Sequence, residues 1–196
     1  MNIILASGSP RRREILGNLG IKFRIVTSDK EEKINSTVPE EVVMELAEMK
    51  ASDVYEKVEG EEKGDFLIIG ADTVVAAEGK ILGKPGTKEN AYKMIKMLSG
   101  KEHFVHTGVC LTGRKDGKAF KTVFSEKTAV FVSEMTDDEI EAYVNTGEPM
   151  DKAGGYAIQG LFAPYVERLE GDYYNVVGFP LSRTVREIKK YKINLA

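Results

Sequence analysis

The apolar segment FLIIGA, residues 66–71, constrains the fold of this chain more than any other stretch. Its apolar side chains are nearly continuous, whereas a strand with one face in solvent alternates apolar and polar residues. A continuous apolar run of this length is typical of a strand that is buried on both faces of a sheet. Such a strand needs helices packed against the sheet, so the segment favours an α/β fold.

The rest of the chain mixes helices and strands. Helical spacing of apolar residues, with Pro, Thr or Gly at the segment ends, predicts helices over residues 10–20, 39–58, 89–100, 136–147 and 180–191. Apolar runs and alternation predict strands over residues 2–6, 23–28, 65–76, 102–113 and 119–133, and residues 154–178 are expected to be strand-like or irregular. In the first helix, Ile15, Leu16 and Leu19 should share one apolar face. We therefore predict one domain over residues 1–196, in which helices flank a central mixed, partly antiparallel twisted sheet.

The balance of charges argues against one class of function. The chain has 28 basic and 31 acidic residues and a net charge of -3, whereas a general nucleic-acid-binding protein normally carries a basic excess. The single cysteine, Cys110, cannot form an intramolecular disulfide and is expected to be a buried core thiol. The opening run IILA is too short for a signal peptide, and no stretch reaches the ~20 apolar residues that span a membrane. We expect a cytoplasmic protein without membrane or nucleic-acid partners.

The segment SGSPRRR, residues 7–13, breaks a local rule. Pro10 suits the first position of a helix, yet Arg11 and its two arginine neighbours then occupy a helix N-terminus that already carries partial positive charge. A strand, a turn of small residues and a helix N-terminus form an anion site from free backbone N–H groups, and the hydroxyls of Ser7 and Ser9 add donors. Arginine forks match phosphate oxygens. The segment therefore predicts a polyphosphate site, with a solvated basic patch as the alternative.

Two further segments carry groups that suit phosphate chemistry. Asp72 is expected just beyond the carboxyl end of the buried strand, where α/β sheets place ligand groups. Its carboxylate could hold Mg²⁺ or accept a proton from an attacking water, or it could only cap a turn. Lys84, on the Pro-Gly loop GKPGT, could meet a phosphate as a point charge, although most loop lysines are only solvated.

The segment DKAGGYAIQG could recognise a base. It places Asp151, Lys152 and Gln159 among small residues. The Gln159 amide could pair with a base edge through one donor and one acceptor, or it could simply lie at the edge of the core. Glu31 and Glu32 follow the second predicted strand and could supply a metal ligand, or they could be surface charges.

Two other pairs are poor candidates. His103 and His106 are three residues apart on a predicted strand, so they point to opposite faces and cannot easily share a metal. The tyrosine pair Tyr173 and Tyr174 could stack on a base, but aromatic residues of a strand usually belong to the core.

Together these segments resemble the Maf family of nucleoside triphosphate pyrophosphatases over nearly the whole chain. The resemblance rests on the ordered set LASGSPRRREIL, LAEMKA, GADTVV, GKILGKP, LSGKEHFVHTGV, DKAGGYAIQG and NVVGFPL. It implies a fold like that of inosine triphosphatases, with two lobes around a cleft. It also implies a cytoplasmic, metal-dependent enzyme that cleaves a nucleotide between its α- and β-phosphates.

The resemblance also implies roles for individual residues. The ADT aspartate, Asp72, is the expected catalytic base and a metal ligand. Six residues are associated with the triphosphate and metal: Ser7, Arg11, Arg12, Glu32, Lys50 and Lys84. Glu32 is the second expected metal ligand, with adjacent Glu31 as the alternative.

One branch of the family acts on dTTP and UTP, and this chain is similar to it at Arg11, Thr73 and Gln159. The resemblance therefore implies a preference for pyrimidine triphosphates, with Mg²⁺ or Mn²⁺ as the expected metal. Small enzymes of this kind are often symmetric dimers, so a homodimer is the expected assembly. The family is also associated with arrest of septum formation, so the alternative function is a nucleotide-binding regulator without significant turnover.

Overall fold

The computed structural model describes residues 1–195, which divide into two compact units. The first unit comprises residues 1–72, 107–126 and those from 178 onwards, and the second comprises residues 73–106 and 127–177. Because the chain passes between the units several times, neither is a continuous segment. The single domain expected over residues 1–196 stays a prediction.

Helices and strands alternate along the chain. The helices are α1 (Pro10–Asn18), α2 (Pro39–Val58), α3 (Lys88–Leu98), α4 (Asp137–Asn145), α5 (Tyr173–Val177) and α6 (Leu181–Lys190). The strands are β1 (Asn2–Ala6), β2 (Arg24–Ile25), β3 (Phe66–Ala77), β4 (Lys80–Leu82), β5 (Glu102–Lys115), β6 (Lys118–Val132) and β7 (Val166–Glu170). Short 3₁₀ turns cover Glu148–Asp151, Ala153–Gly155 and Ala163–Tyr165.

The strands form one mixed sheet, which confirms the predicted fold class. Their hydrogen-bonded order is β2-β1-β3-β5-β6-β7, and β4 pairs with β3. β1 is parallel to both β2 and β3, whereas β4 is antiparallel to β3 and β7 is antiparallel to β6. Only two residues, Asp116 and Gly117, separate β5 from its neighbour β6, a connection that requires an antiparallel hairpin.

The core of the first unit forms where α2 packs against β1 and β3. One buried cluster of this core comprises Ile4, Ala6, Ala47, Ala51, Val54, Val58, Phe66, Ile68 and Cys110. Cys110 is completely buried, and burial raises the pKa of its thiol to about 12. The prediction of a buried core thiol is therefore confirmed.

The second unit packs α3 and α4 around a separate core. Ile95 and Leu98 of α3, Ile140 and Tyr143 of α4, and Phe162 belong to this buried cluster. The helix starts follow the sequence signals. The Thr87 side chain accepts a hydrogen bond from the Asn90 N–H, and Thr136 forms a reciprocal capping box with Glu139.

Several local predictions are wrong. The second strand covers only Arg24–Ile25 rather than residues 23–28, and Leu19 is 46% exposed because α1 ends at Asn18. Residues 154–178 were expected to be strand-like or irregular: irregular and 3₁₀ turns do precede the strand β7, but the helix α5 that follows it was not predicted. Glycines with φ of +68° and +76° at positions 154 and 155 prevent an extended strand there.

None of the helices described within residues 1–195 is long and apolar enough to cross a membrane.

Candidate active site

The segment SGSPRRR, residues 7–13, forms the turn between β1 and α1 and the start of that helix. We call it the arginine turn. Pro10 is the first helical residue, as predicted, and the first turn of α1 contains no acidic residue. The Ser9 side chain makes no capping hydrogen bond within the described chain. The turn therefore combines a helix N-terminus with arginines and lacks the acidic group that would normally offset their charge.

Arg12 is an integral part of this turn rather than a solvated surface residue. Its Nε donates to the Gly178 carbonyl at 2.8 Å, and its Nη1 donates to the Ser7 hydroxyl oxygen at 3.0 Å. Burial lowers the pKa of the Arg12 guanidinium, the charge of Asp72 opposes this shift, and the neighbouring Arg11 adds to it. Arg11 is half-buried and Arg13 is exposed. The alternative of a wholly solvated patch is therefore wrong for Arg12.

The Ser7 side chain has a defined role in this network. Its Oγ accepts hydrogen bonds from Arg12 Nη1 at 3.0 Å and from the Ser9 N–H at 3.3 Å. A hydroxyl oxygen has two lone pairs, so both are used and its own hydrogen is left as a donor. The Ser7 hydroxyl is therefore free to donate to one further acceptor.

Three charged residues of the first unit form a continuous ionic chain. The Lys50 ammonium lies 2.5 Å from Asp72 Oδ1 and 2.8 Å from Glu32 Oε1. The side chains of Lys50 and Asp72 are 18% and 17% exposed, whereas that of Glu32 is 52% exposed. Two carboxylates therefore converge on one cation, and Glu32 is the glutamate that lies beside Lys50 and Asp72.

The close approach of α2 to the sheet places Lys50 beside Asp72. Lys50 lies on α2, and Asp72 follows Gly70 by two residues in β3. A side chain at Gly70 would place its Cβ 2.5 Å from the Ala47 carbonyl oxygen of α2. Asp72 lies inside β3, which continues to Ala77, and not just beyond its carboxyl end. The placement beyond the carboxyl end was wrong because the apolar run 66–71 ends before the hydrogen-bonded strand does, whereas the predicted strand over residues 65–76 already included Asp72.

The second unit contains the remaining predicted site residues. Thr73 is half-buried in β3, Lys84 is exposed in the loop 83–86, and Gln159 is exposed in an irregular turn. Two of the sequence motifs meet here, because the Gly154 N–H donates to the Gly83 carbonyl at 3.1 Å. The loop of Lys84 therefore lies against the segment that leads into the turn of Gln159.

Sequence reasoning missed Glu148, whose hydrogen bonds hold the turn that carries Gln159. Glu148 accepts hydrogen bonds from the Tyr143 hydroxyl at 3.0 Å and from the Leu161 N–H at 2.9 Å. Lys152, which belongs to the same sequence motif as Gln159, donates to Asp151 at 2.6 Å and to the Glu148 carbonyl at 3.0 Å. The signal that could have revealed Glu148 is its place in a Gly-Glu-Pro turn just before the glycine-rich motif.

The poor candidates differ in their outcome. His103 and His106 are buried, and no group of three or more His, Cys, Asp or Glu residues within 1–195 is arranged to hold a metal. Tyr173 and Tyr174 belong to α5 rather than to a strand and are each 42% exposed. The interpretation of this pair as core residues is therefore wrong, because a short helix turns both rings partly into solvent.

Comparison with known proteins gives consistent similarities. A family model described as Maf-like protein matches residues 2–191. The dTTP/UTP pyrophosphatase of Lachnoclostridium phytofermentans is 47% identical over 194 residues, which cover 98% of this chain and 96% of that protein. The dTTP/UTP pyrophosphatase of Bacillus anthracis is 48% identical over 195 residues, with coverages of 98% and 97%. Among solved structures, the Staphylococcus aureus Ham1 protein aligns with 85% of this chain and 80% of its own at 12% identity and a TM-score of 0.42, which carries no functional argument.

Proposed function

The chain belongs to the Maf family, and we propose that it hydrolyses dTTP and UTP between the α- and β-phosphates. The products are the nucleoside monophosphate and pyrophosphate. The observation that carries this proposal is the ionic chain of Glu32, Lys50 and Asp72, which lies in the same unit as the arginine turn. Both relatives are dTTP/UTP pyrophosphatases, which supports the choice of substrates.

The triphosphate binds to cationic and hydroxyl groups. Arg12 is charged and buried, so a polyanion recovers part of the solvation that this guanidinium loses on folding. Ser7 donates its hydroxyl hydrogen to a phosphate oxygen, and Arg11 contributes a second guanidinium. Lys84, a loop lysine, is proposed as a further phosphate contact, a point charge rather than a fork.

The donor set fits a divalent cation. Carboxylate oxygens of Glu32 and Asp72 already converge on the Lys50 ammonium at 2.8 and 2.5 Å, so they can share a cation. Mg²⁺ is commonly held by one or two carboxylates together with substrate phosphates, and Mn²⁺ accepts the same ligands. When bound, the metal neutralises negative charge on the phosphates.

Asp72 is the catalytic base of this mechanism. Its carboxylate accepts a proton from the water whose oxygen forms a bond to the α-phosphorus. The bond between the α-phosphorus and the bridging oxygen breaks, and pyrophosphate leaves with the electron pair. Lys50 holds the Asp72 carboxylate in place through the ion pair at 2.5 Å.

The first test compares Asp72→Asn with wild type in pyrophosphate release from canonical nucleoside triphosphates, with Mg²⁺, Mn²⁺ or a chelator. General-base catalysis contributes about 100- to 10,000-fold, so kcat should fall by at least about 100-fold. Asp116→Asn is the matched control, because Asp116 is exposed in a turn with φ of +51°, which asparagine tolerates. A variant that retains most of its kcat would remove Asp72 from this role. Tight nucleotide binding by wild type with no release under any metal would favour a regulator.

The second test concerns the choice of base. Gln159 pairs with the uracil or thymine edge through its amide, so Gln159→Ala should lower kcat/KM for UTP and dTTP about tenfold or more, and for purine nucleotides much less. Asn145→Ala, another exposed amide in the second unit, is the control. An equal loss for every nucleotide would contradict base recognition.

Location and assembly complete the proposal. A cytoplasmic enzyme has direct access to the nucleoside triphosphate pool, and the single buried thiol of Cys110 requires no oxidising compartment. The substrate is a small molecule, with no stable nucleic-acid or membrane partner. A homodimer is the assembly that we propose, and sedimentation of the purified protein tests it.

A further inference from the structure

We propose that Glu148 is a positioning residue for base selectivity, because its carboxylate fixes the turn that carries Gln159. This inference rests on the proposed role of Gln159 in reading the base. Glu148 reaches the turn through hydrogen bonds to its neighbours and not through the substrate. All the residues concerned belong to the second unit.

The Glu148 carboxylate links helix α4 to Leu161, which lies at the C-terminal end of the turn that carries Gln159. Its Oε1 accepts from the Tyr143 hydroxyl of α4 at 3.0 Å, and its Oε2 accepts from the Leu161 N–H at 2.9 Å. Tyr143 is only 4% exposed and belongs to the core of the second unit. The backbone two residues after Gln159 is therefore tied to a rigid helix by two hydrogen bonds to a charged acceptor.

Gly160 brings the turn directly against this carboxylate. A Cβ at position 160 would overlap both carboxylate oxygens of Glu148. Gly160 has no positive φ, so the backbone there suits an alanine, and the three atoms nearest to the added Cβ would all belong to the Glu148 carboxylate. The absence of a side chain at this position serves the contact with Glu148 rather than an unusual backbone conformation.

The near end of the turn is anchored by the same Tyr143 hydroxyl and by Tyr156. The Tyr143 hydroxyl also lies 3.3 Å from the Gly155 carbonyl oxygen, and the Tyr156 hydroxyl lies 2.7 Å from His103 Nε2. Tyr156 is 5% exposed and His103 is 1% exposed. Residues 157–160 therefore bridge two fixed points, one at Tyr156 and one at Leu161.

Such anchoring is what an exposed glutamine needs to discriminate between bases. Gln159 is exposed, and its long side chain carries no base preference unless its backbone presents the amide in one place. If the Leu161 end is released, Gln159 samples many positions, and the ordering cost then opposes pyrimidine binding. The loss should appear in KM, because the reacting phosphates are unaffected.

The experiment measures KM and kcat for UTP, dTTP and ATP in Glu148→Ala, Glu148→Gln and Gly160→Ala. Glu148→Ala and Gly160→Ala should raise KM for UTP and dTTP about tenfold, with kcat within about twofold of wild type and ATP little changed. Glu148→Gln should remain close to wild type. Its amide oxygen can accept from Leu161, and its NH₂ can donate to the Tyr143 hydroxyl, which then donates to Gly155.

Glu141→Ala is the matched control, since Glu141 is an exposed glutamate on α4. Hydrogen exchange supplies a readout besides activity: the Leu161 amide should exchange faster in Glu148→Ala and Gly160→Ala than in Glu141→Ala. If Glu148→Ala fails to fold, the Gly160→Ala variant tests the inference instead, because the atoms nearest to its Cβ lie at the flexible end of the Glu148 side chain.

A double variant separates this inference from the proposed function. In a Gln159→Ala background, Glu148→Ala should no longer change the KM for UTP, because the residue through which it acts is gone. An undiminished effect there, or unchanged base selectivity in both Glu148→Ala and Gly160→Ala, overturns the inference while Gln159 keeps its role. A Gln159→Ala protein with wild-type selectivity overturns both, and absence of turnover in wild type overturns the proposed function.

Discussion

At the scale of single residues, His103 combines full burial with a titratable ring. It lies on β5, is 1% exposed, and its Nε2 is hydrogen-bonded to the Tyr156 hydroxyl at 2.7 Å. Burial lowers the pKa of the imidazole from 6.5 to about 4, so the ring is neutral at pH 7. The imidazole also makes an edge-on contact with the Tyr156 ring, at a centroid distance of 5.2 Å.

This lowered pKa predicts how stability changes with pH. Below pH 6.5 the unfolded chain binds a proton at His103 before the folded chain does, so the free energy of unfolding falls as the pH decreases towards about 4. The whole effect is roughly 3 kcal/mol. In His103→Gln, which keeps a hydrogen-bonding side chain but cannot titrate, urea unfolding between pH 6.5 and 5 should show a much smaller pH dependence.

Another buried titratable group acts in a separate pH range. A hydrogen bond from Lys57 is the main cause that lowers the pKa of Asp53 from 3.8 to about 2, so its stabilisation is lost only below pH 3.8. Equal pH dependence of wild type and His103→Gln between pH 6.5 and 5 would show that the His103 ring is protonated in the folded protein.

The candidate site illustrates how far single residues can be predicted from sequence. Asp72, Lys50 and Glu32 were identified through motifs, and the structure joins all three in one ionic chain. The choice between Glu31 and Glu32 could not be made from spacing, because an irregular loop has no periodicity that would show which side chain turns towards α2. Glu148 was missed because its contacts, Tyr143 and Leu161, depend on tertiary packing.

At the scale of elements, two glycines allow α2 to lie directly on the sheet. A Cβ at Gly70 would lie 2.5 Å from the Ala47 carbonyl oxygen and 2.9 Å from the Ala51 Cβ, both of α2. A Cβ at Gly108 of β5 would overlap the Val43 carbonyl. Backbone atoms cannot turn away as a flexible side chain can, so the distance between helix and strands depends on these glycines.

Gly70→Ala should therefore affect both stability and catalysis. Overpacking of this kind costs about 1–3 kcal/mol, and a helix pushed away from β3 lengthens the contact between Lys50 and Asp72. We expect a lower urea midpoint together with a lower kcat/KM. Gly60→Ala is the control, because no atom lies within 4 Å of a Cβ there. If both variants were equally stable, the tight packing of α2 on β3 would be contradicted.

Sequence patterns predicted the regular elements better than the irregular ones. α2 has the predicted bounds, residues 39–58, because its apolar spacing and proline start are both local signals. Residues 154–178 were harder, since their conformation depends on positive φ angles at Gly154 and Gly155 and on contacts such as that between Asn175 Nδ2 and the Val105 carbonyl. Neither feature has a periodic signature.

At the scale of the whole molecule, the net charge is negative, whereas the candidate site is cationic and is proposed to bind an anion. The chain carries a net charge of -3, which gives an anion no general attraction. The arginine turn nevertheless places buried Arg12 and half-buried Arg11 at the same helix N-terminus. Binding of a nucleotide must therefore come from this local arrangement, and the polyphosphate should contribute more of it than the base.

Ligand-dependent thermal stability tests this conclusion on the intact protein. With the Asp72→Asn variant to prevent turnover, UTP with Mg²⁺ at about 100 times its Kd should add ~2.7 kcal/mol, a Tm increase of roughly 5–10 °C for a chain of this size. Pyrophosphate should raise Tm substantially, whereas uridine should not. At the same UTP concentration, Arg11→Ala should reduce the increase in Tm. Arg13→Ala, which removes an exposed arginine from the same helical turn, should leave that increase unchanged. If uridine stabilised the protein as strongly as pyrophosphate, the arginine turn would not be the main source of affinity.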